Sequence, residues 1–166
     1  MRIRDKIKKP QRPVVAYEIL PPREKDGTLN SYAETISSLL SQTHIDAINI
    51  PEVLDEAGRG NRPIANYKRG EPREFGRLLQ DIVGIEAIVN RVVVHHDYDS
   101  QMKWLEETNL VYEIENMIIV GGESSNVDYP GPTVNQTLEA ISKIYNKDGK
   151  DIFCGGIAIP SRSEES

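Results

Sequence analysis

Short apolar runs alternate along the chain with stretches whose apolar residues recur at every third or fourth position. The first run, Val14-Val15-Ala16-Tyr17-Glu18-Ile19-Leu20, is β-branched, aromatic or aliphatic apart from one acid, and it reads as a strand. Pro21-Pro22 must end it, because proline cannot donate to a sheet ladder. Leu29, Tyr32, Ala33, Ile36, Leu39 and Leu40 then make the stripe of an amphipathic helix. A second strand is predicted over 45–50, stopped by Pro51-Glu52. Residues 53–71 are rich in charge, glycine and proline, with Arg59, Arg62, Lys68 and Arg69 close together. So long a loop reads either as an anion-contacting lid or as a solvated excursion.

The pattern repeats. Pro72 suits a helix start, Phe75, Leu78, Leu79 and Ile82 supply its buried stripe, and Gly84 can stop it. A third strand over 88–95 runs into His96-Asp97-Tyr98-Asp99, and Met102, Leu105, Asn109 and Tyr112 mark a weaker helix. A fourth strand over 117–120 leads into Gly121-Gly122-Glu123-Ser124-Ser125. Thr133 and Gln136 have capping-box spacing ahead of a helix carrying Val134, Leu138, Ile141 and Ile144. A fifth strand is expected over 151–159, and Ser161-Arg162-Ser163-Glu164 opens a helix that the chain does not supply.

Strands that alternate with amphipathic helices imply an α/β fold, with parallel pairing through right-handed crossovers. Two architectures fit: a flavodoxin-like open sheet, or a partial (β/α)8 TIM barrel of about five β/α units. The length of 166 residues favours the open sheet, since a whole barrel takes about 250. The unfinished last helix favours the barrel. In either case 1–166 reads as a single domain. An unclosed barrel has unpaired edges, so a homo-oligomer is expected.

Composition narrows the partners. A net charge of −6 argues against a nucleic-acid surface, which is usually basic. No run is long and apolar enough to span a bilayer, and the basic start Met1-Arg2-Ile3-Arg4-Asp5-Lys6 is not followed by the apolar core of a secretory signal. No membrane partner is expected. The single Cys154 excludes an internal disulfide and suits the cytoplasm; it reads most simply as a small buried side chain.

In both architectures ligands gather at the C-terminal ends of the strands, where the unusual residues of this chain lie. Period-two alternation puts Glu18 on one face with Val14, Ala16 and Leu20. Glu18 is therefore expected to be partly desolvated, with a raised pKa that would make it a proton donor, unless it pairs with an arginine. The turn at 121–125 offers backbone N–H groups to an anionic or carbonyl ligand, or is a plain tight turn; it lacks a P-loop lysine and dinucleotide spacing. Adjacent strand histidines point to opposite faces, so His95 and His96 make no metal pair, although one of them could line a pocket. Arg162, at a helix start, could meet a phosphate or a carboxylate tail.

In their order these motifs resemble the methylenetetrahydrofolate reductase family. Glu18-Ile19-Leu20-Pro21-Pro22 is similar to the acid and double proline that end the family's first strand, and Ile48-Asn49-Ile50-Pro51-Glu52 to one branch's second-strand end. Gly121-Gly122-Glu123 resembles the turn after the fourth strand, Asp128-Tyr129-Pro130-Gly131 a motif that follows it, and Gly156-Ile157-Ala158-Ile159-Pro160 the fifth-strand end. The resemblance implies a (β/α)8 flavoprotein that reduces 5,10-methylenetetrahydrofolate to 5-methyltetrahydrofolate, with FAD as cofactor and NAD(P)H as electron donor. Glu18 would protonate the folate and Glu123 stand near pterin and flavin. Gly121, Gly122, Ser124, Tyr129 and Pro160 would contact the cofactor, and Pro51, Glu52, His96 and Arg162 the folate. The chain departs from the family at Gly121, where an arginine is usual, and at Val92, which takes the place of a histidine. The alternative function is a non-catalytic folate- or flavin-binding module that needs a partner.

Overall fold

The chain winds in one direction, each strand laid beside the one before it. The computed structural model describes residues 2–54, 68–122, 127–145 and 152–157. Its elements are α1 (Ile3–Lys8), β1 (Ala16–Glu18), α2 (Leu29–Leu40), β2 (Ala47–Ile50), α3 (Pro72–Val83), β3 (Ala87–Val92), α4 (Tyr98–Leu110), β4 (Asn116–Val120), α5 (Val134–Ala140) and β5 (Phe153–Gly156). All five strands are parallel, in the order β1-β2-β3-β4-β5. A flavodoxin-like sheet places its first strand inside, in the order 2-1-3-4-5, so that alternative is not realised. Sequential order is also how the strands of a (β/α)8 barrel follow one another.

The helices begin and end where local chemistry directs. Thr28 accepts from the Ser31 amide to cap α2, and Glu71 accepts from Glu74 to cap α3, with Pro72 at the first helical position. Gly84, at φ 71°, ends α3 in the left-handed conformation that costs a side chain most. Thr133 and Gln136 form the expected reciprocal capping box on α5.

Cross-strand partners share a face, so the register sorts the sheet's side chains into two sets. Ile48, Ile50, Val89, Met117 and Ile119 lie on one face and are all but fully buried. The core gathers there, with Phe75 and Leu79 of α3, Ala33 and Leu40 of α2, and Leu105 of α4. Gly76 lets α3 come close: a Cβ on it would stand 3.1 Å from both Ile50 and Ile114. Glu18, Ala47, Asn49, Ile88, Asn90, Val92, Asn116, Ile118, Val120 and Phe153 share the other face; Ala47, Val92 and Asn116 are buried, and the others range from half-buried to exposed.

Several strands differ from expectation. β1 has three residues rather than seven, because it is the outermost strand and pairs on one side alone. β3 stops at Val92, where the chain tightens into a 3-10 turn, Val93–His95. β5 covers four described residues, ending at Gly156.

The basic N-terminal stretch is a helix across the N-terminal ends of the strands. An acid stands immediately before each of three strands: Asp46 before β2, Glu86 before β3 and Glu115 before β4. All three hold the N-terminal segment. Glu86 accepts from the Ile3 amide at 2.5 Å, Arg2 donates to Glu115 at 2.8 Å, and Lys6 and Arg12 reach Asp46 at 2.9 and 2.7 Å. Asp46, nearly fully buried, also accepts from the Val15 amide at 2.9 Å. That backbone bond first, then the Lys6 and Arg12 cations, hold its carboxyl far below the usual carboxylate range. Ile3 is buried behind these contacts.

Candidate functional site

The C-terminal ends of the strands carry the candidate chemistry, and each acid there is positioned differently. Glu18 closes β1 on the face the helices leave open, and its Oε2 accepts from Asn49 Nδ2 at 3.1 Å across the β1–β2 register. It is exposed, against the expected desolvation. Its apolar face-mates do not cover it, because β1 is an edge strand and no described element lies over this face.

Glu52, two residues past β2, turns to the helix side. Its two oxygens accept from Arg91 Nη1 at 2.5 Å and from the Val92 amide at 2.8 Å, with both charged side chains largely buried. Arg91 also donates to Gln101 Oε1 of α4 at 3.0 Å, so the pair locks the end of β2 to β3 and α4. Removing one partner of such a pair strands the other charge, which makes Glu52 a supporting group as it stands. The half-buried Pro51 passes the chain from β2 to this lock.

At the ends of β3 and β4 a different cluster forms. His95 meets the Tyr129 ring edge-on, with 5.4 Å between ring centroids. Gly122 lies under that tyrosine so closely that a Cβ would overlap the ring, and a Cβ on Gly121 would stand 3.4 Å from Val134. Gly131 donates to the Val94 carbonyl at 2.9 Å, which seats the Tyr129 loop on the 3-10 turn after β3. Gly122 and Tyr129 are thus brought together, whereas His96 is exposed and its neighbour His95 makes the contact. The opposite-face argument for the two histidines fails for a physical reason: His95 ends a 3-10 turn and His96 follows it, so neither continues the strand. Glu123, Ser124, Pro160 and Arg162 lie outside the described residues.

Two features were missed from the sequence. Asp97, grouped there with loop residues, caps α4 by accepting from the Ser100 amide at 3.0 Å, and that bond, with the Ser100 hydroxyl, lowers its pKa. Its spacing ahead of Ser100 and a helical stretch was the available signal. Trp104 of α4 carries the guanidinium carbons of both Arg73 and Arg91 at 4.7 Å from its ring centroid. Cys154, half-buried against the core, has its thiol pKa raised by burial.

Fold and rim together define a singly wound parallel α/β protein with its candidate groups at the strand ends and Glu18 exposed on the face opposite the core. No family model and no curated protein matches the sequence. Among solved structures, the chain is similar in fold to an uncharacterized protein from Clostridium thermocellum that binds two copies of 5-methyl-5,6,7,8-tetrahydrofolic acid. The TM-score is 0.66 at 17% identity, and the match covers 95% of this chain and 48% of that protein. The chain thus spans about half the length of that neighbour.

Proposed function

We propose that this chain binds a reduced folate at the C-terminal ends of its strands, as the first part of a (β/α)8 barrel of the methylenetetrahydrofolate reductase type. The observation that carries the reading is the placement of Glu18: it ends the first of five sequentially ordered parallel strands, on the face the helices leave open, and Asn49 holds its carboxylate. The ligand class draws support from the fold shared with a methyltetrahydrofolate-binding protein. A carboxylate so placed accepts from the N–H groups of a pterin ring. In a reductase the same group, protonated, would give its proton to the folate's bridge nitrogen, so that the carbon–nitrogen bond breaks and an electrophilic iminium remains. That donation asks for desolvation of Glu18, which the pterin itself or a covering part must supply.

The reductase reading takes FAD as redox group and NAD(P)H as donor, in a cytoplasmic homo-oligomer that closes the open sheet. FAD would supply hydride transfer. At the described part of the fourth-strand turn, Tyr129 packs on Gly122 and Val134 stands beside Gly121, so a cofactor there would meet the turn's backbone and the Tyr129 ring. The second reading is a folate-binding module without redox chemistry.

Calorimetric titration of the purified chain with 5-methyltetrahydrofolate tests the proposal. Saturable binding is expected, weakened about tenfold or more in Glu18→Gln, since a hydrogen bond to a charged group contributes about 1.5–3 kcal/mol. Absence of binding at millimolar ligand overturns the folate reading. Flavin absorbance that folate bleaches selects the reductase, and binding without it selects the module.

A further inference from the structure

Beside the Arg91–Glu52 lock, on the helix side of the rim, lies a cleft of about 840 Å³. Pro21, Pro51, Leu54, Pro72 and Trp104 give it apolar walls, and four cations and three acids line it. Three of the cations are committed: Arg91 to Glu52, Arg73 to Glu71 at 2.7 Å, and Lys68 to Glu24 at 2.8 Å. Arg69 is different. Its Nη1 donates to the Pro21 carbonyl at 2.8 Å, and among the described residues it makes no ion pair with a carboxylate. A guanidinium has five N–H donors in a planar fork, and one bond to a carbonyl leaves most of those of this cleft-lining residue without an acceptor among the described residues. The backbone around it is fixed: Arg69 bridges Arg23 as an isolated antiparallel pair, Glu24 donates to the Lys68 carbonyl at 3.2 Å, and Gly70 donates to the Pro22 carbonyl at 3.0 Å.

We propose that this cleft is an anion site, in which Arg69 receives a carboxylate or phosphate group of a small molecule. The distribution of charge supports it: three acids and four cations line the half-enclosed, partly apolar cleft, and the further carboxylate beside it, Glu107, reaches Arg73 at 3.4 Å rather than Arg69. There an anion's attraction is screened less than on an open surface. Lys68 adds a second donor within the same cleft; its pair with Glu24 is exposed on both sides, and such pairs hold weakly. The site is separate from Glu18, which opens on the other face of the sheet, and it does not depend on the folate reading.

The chain carries its own reporter. Trp104 is the sole tryptophan and lines the cleft, with two guanidinium groups over its ring. Tryptophan emission of the full chain is titrated with inorganic phosphate and, separately, with the dicarboxylate glutarate, against sodium chloride at matched ionic strength. A saturable change with either anion and none with chloride is expected, phosphate or glutarate alone naming the source of the group. Arg69→Gln should weaken binding about tenfold or more, and Arg69→Lys, which keeps the charge and loses the fork, should fall between. Thermal melting checks that the variants fold. If Arg69→Gln melts early, the comparison rests on Arg69→Lys. Equal affinity of the tested variant and the parent, or a response that chloride reproduces, overturns the site.

Discussion

The two faces of the sheet are made from the same strands, yet they obey different rules. On the helix-covered face Ile48, Ile50, Val89, Met117 and Ile119 are sealed, and the side chains are the apolar ones that packing demands. On the other face asparagines alternate with isoleucines, and Ile88, Ile118 and Phe153 are only partly covered. The one face stores most of the stability, and the other leaves chemistry accessible. A fold that is wound in sequence, with α2, α3 and α4 packed to one side, produces this division.

The largest effect should come from the sealed face. Phe75→Ala removes a fully buried ring and should cost about 3–5 kcal/mol, whereas Ile118→Ala on the open face should cost less than about 2. Urea unfolding measures both. Equal losses would mean that the open face is covered in solution, and would end the contrast.

Next comes the boundary between the two regimes. Gly122→Ala drives a methyl into the Tyr129 ring and should cost about 1–3 kcal/mol. The His95 ring resonances should move with it, because Tyr129 stands edge-on to His95. Unmoved resonances would place the strain elsewhere.

The clamp at the opposite end of the strands should respond to acid. The Asp46 carboxyl is depressed in the folded chain, so the stability it contributes is present above its ordinary value of 3.8. That stability is lost as pH falls below 3.8 towards the lower folded value. Denaturation midpoints of the parent chain should therefore fall with acidification in that window, and those of Asp46→Asn should fall less. Parallel slopes would remove Asp46 from the acid response.

The smallest change in stability is expected for Glu18→Gln, within about 0.5 kcal/mol, because the group is exposed and bonded to one asparagine. A larger loss would show that Glu18 is a structural residue, and would weaken its assignment to ligand binding.

The elements that the sequence announces well are those whose causes are local. The α3 helix is bounded by Pro72 and Gly84, and α5 opens on a capping box, all within a few residues of the signals themselves. Strand lengths were less legible, since a strand lasts only as long as its neighbours do, and β1 has one neighbour. The exposure of Glu18 was not legible at all: alternation tells which face a side chain takes, but not what covers that face. The contact of His95 with Tyr129 joins two loops 34 positions apart, and nothing near either residue foretells it. The six-residue α1 is too short to persist by propensity alone, and it draws on acids far along the chain.

Those acids also bear on the order in which the molecule comes together. The bonds from the N-terminal helix to Asp46, Glu86 and Glu115 close sequence separations of 40, 83 and 113 residues. Although this helix precedes the strands in the chain, its full set of anchors exists only when β2, β3 and β4 stand side by side. Docking it is therefore a late event in folding, reached after the longest loop closures have been made.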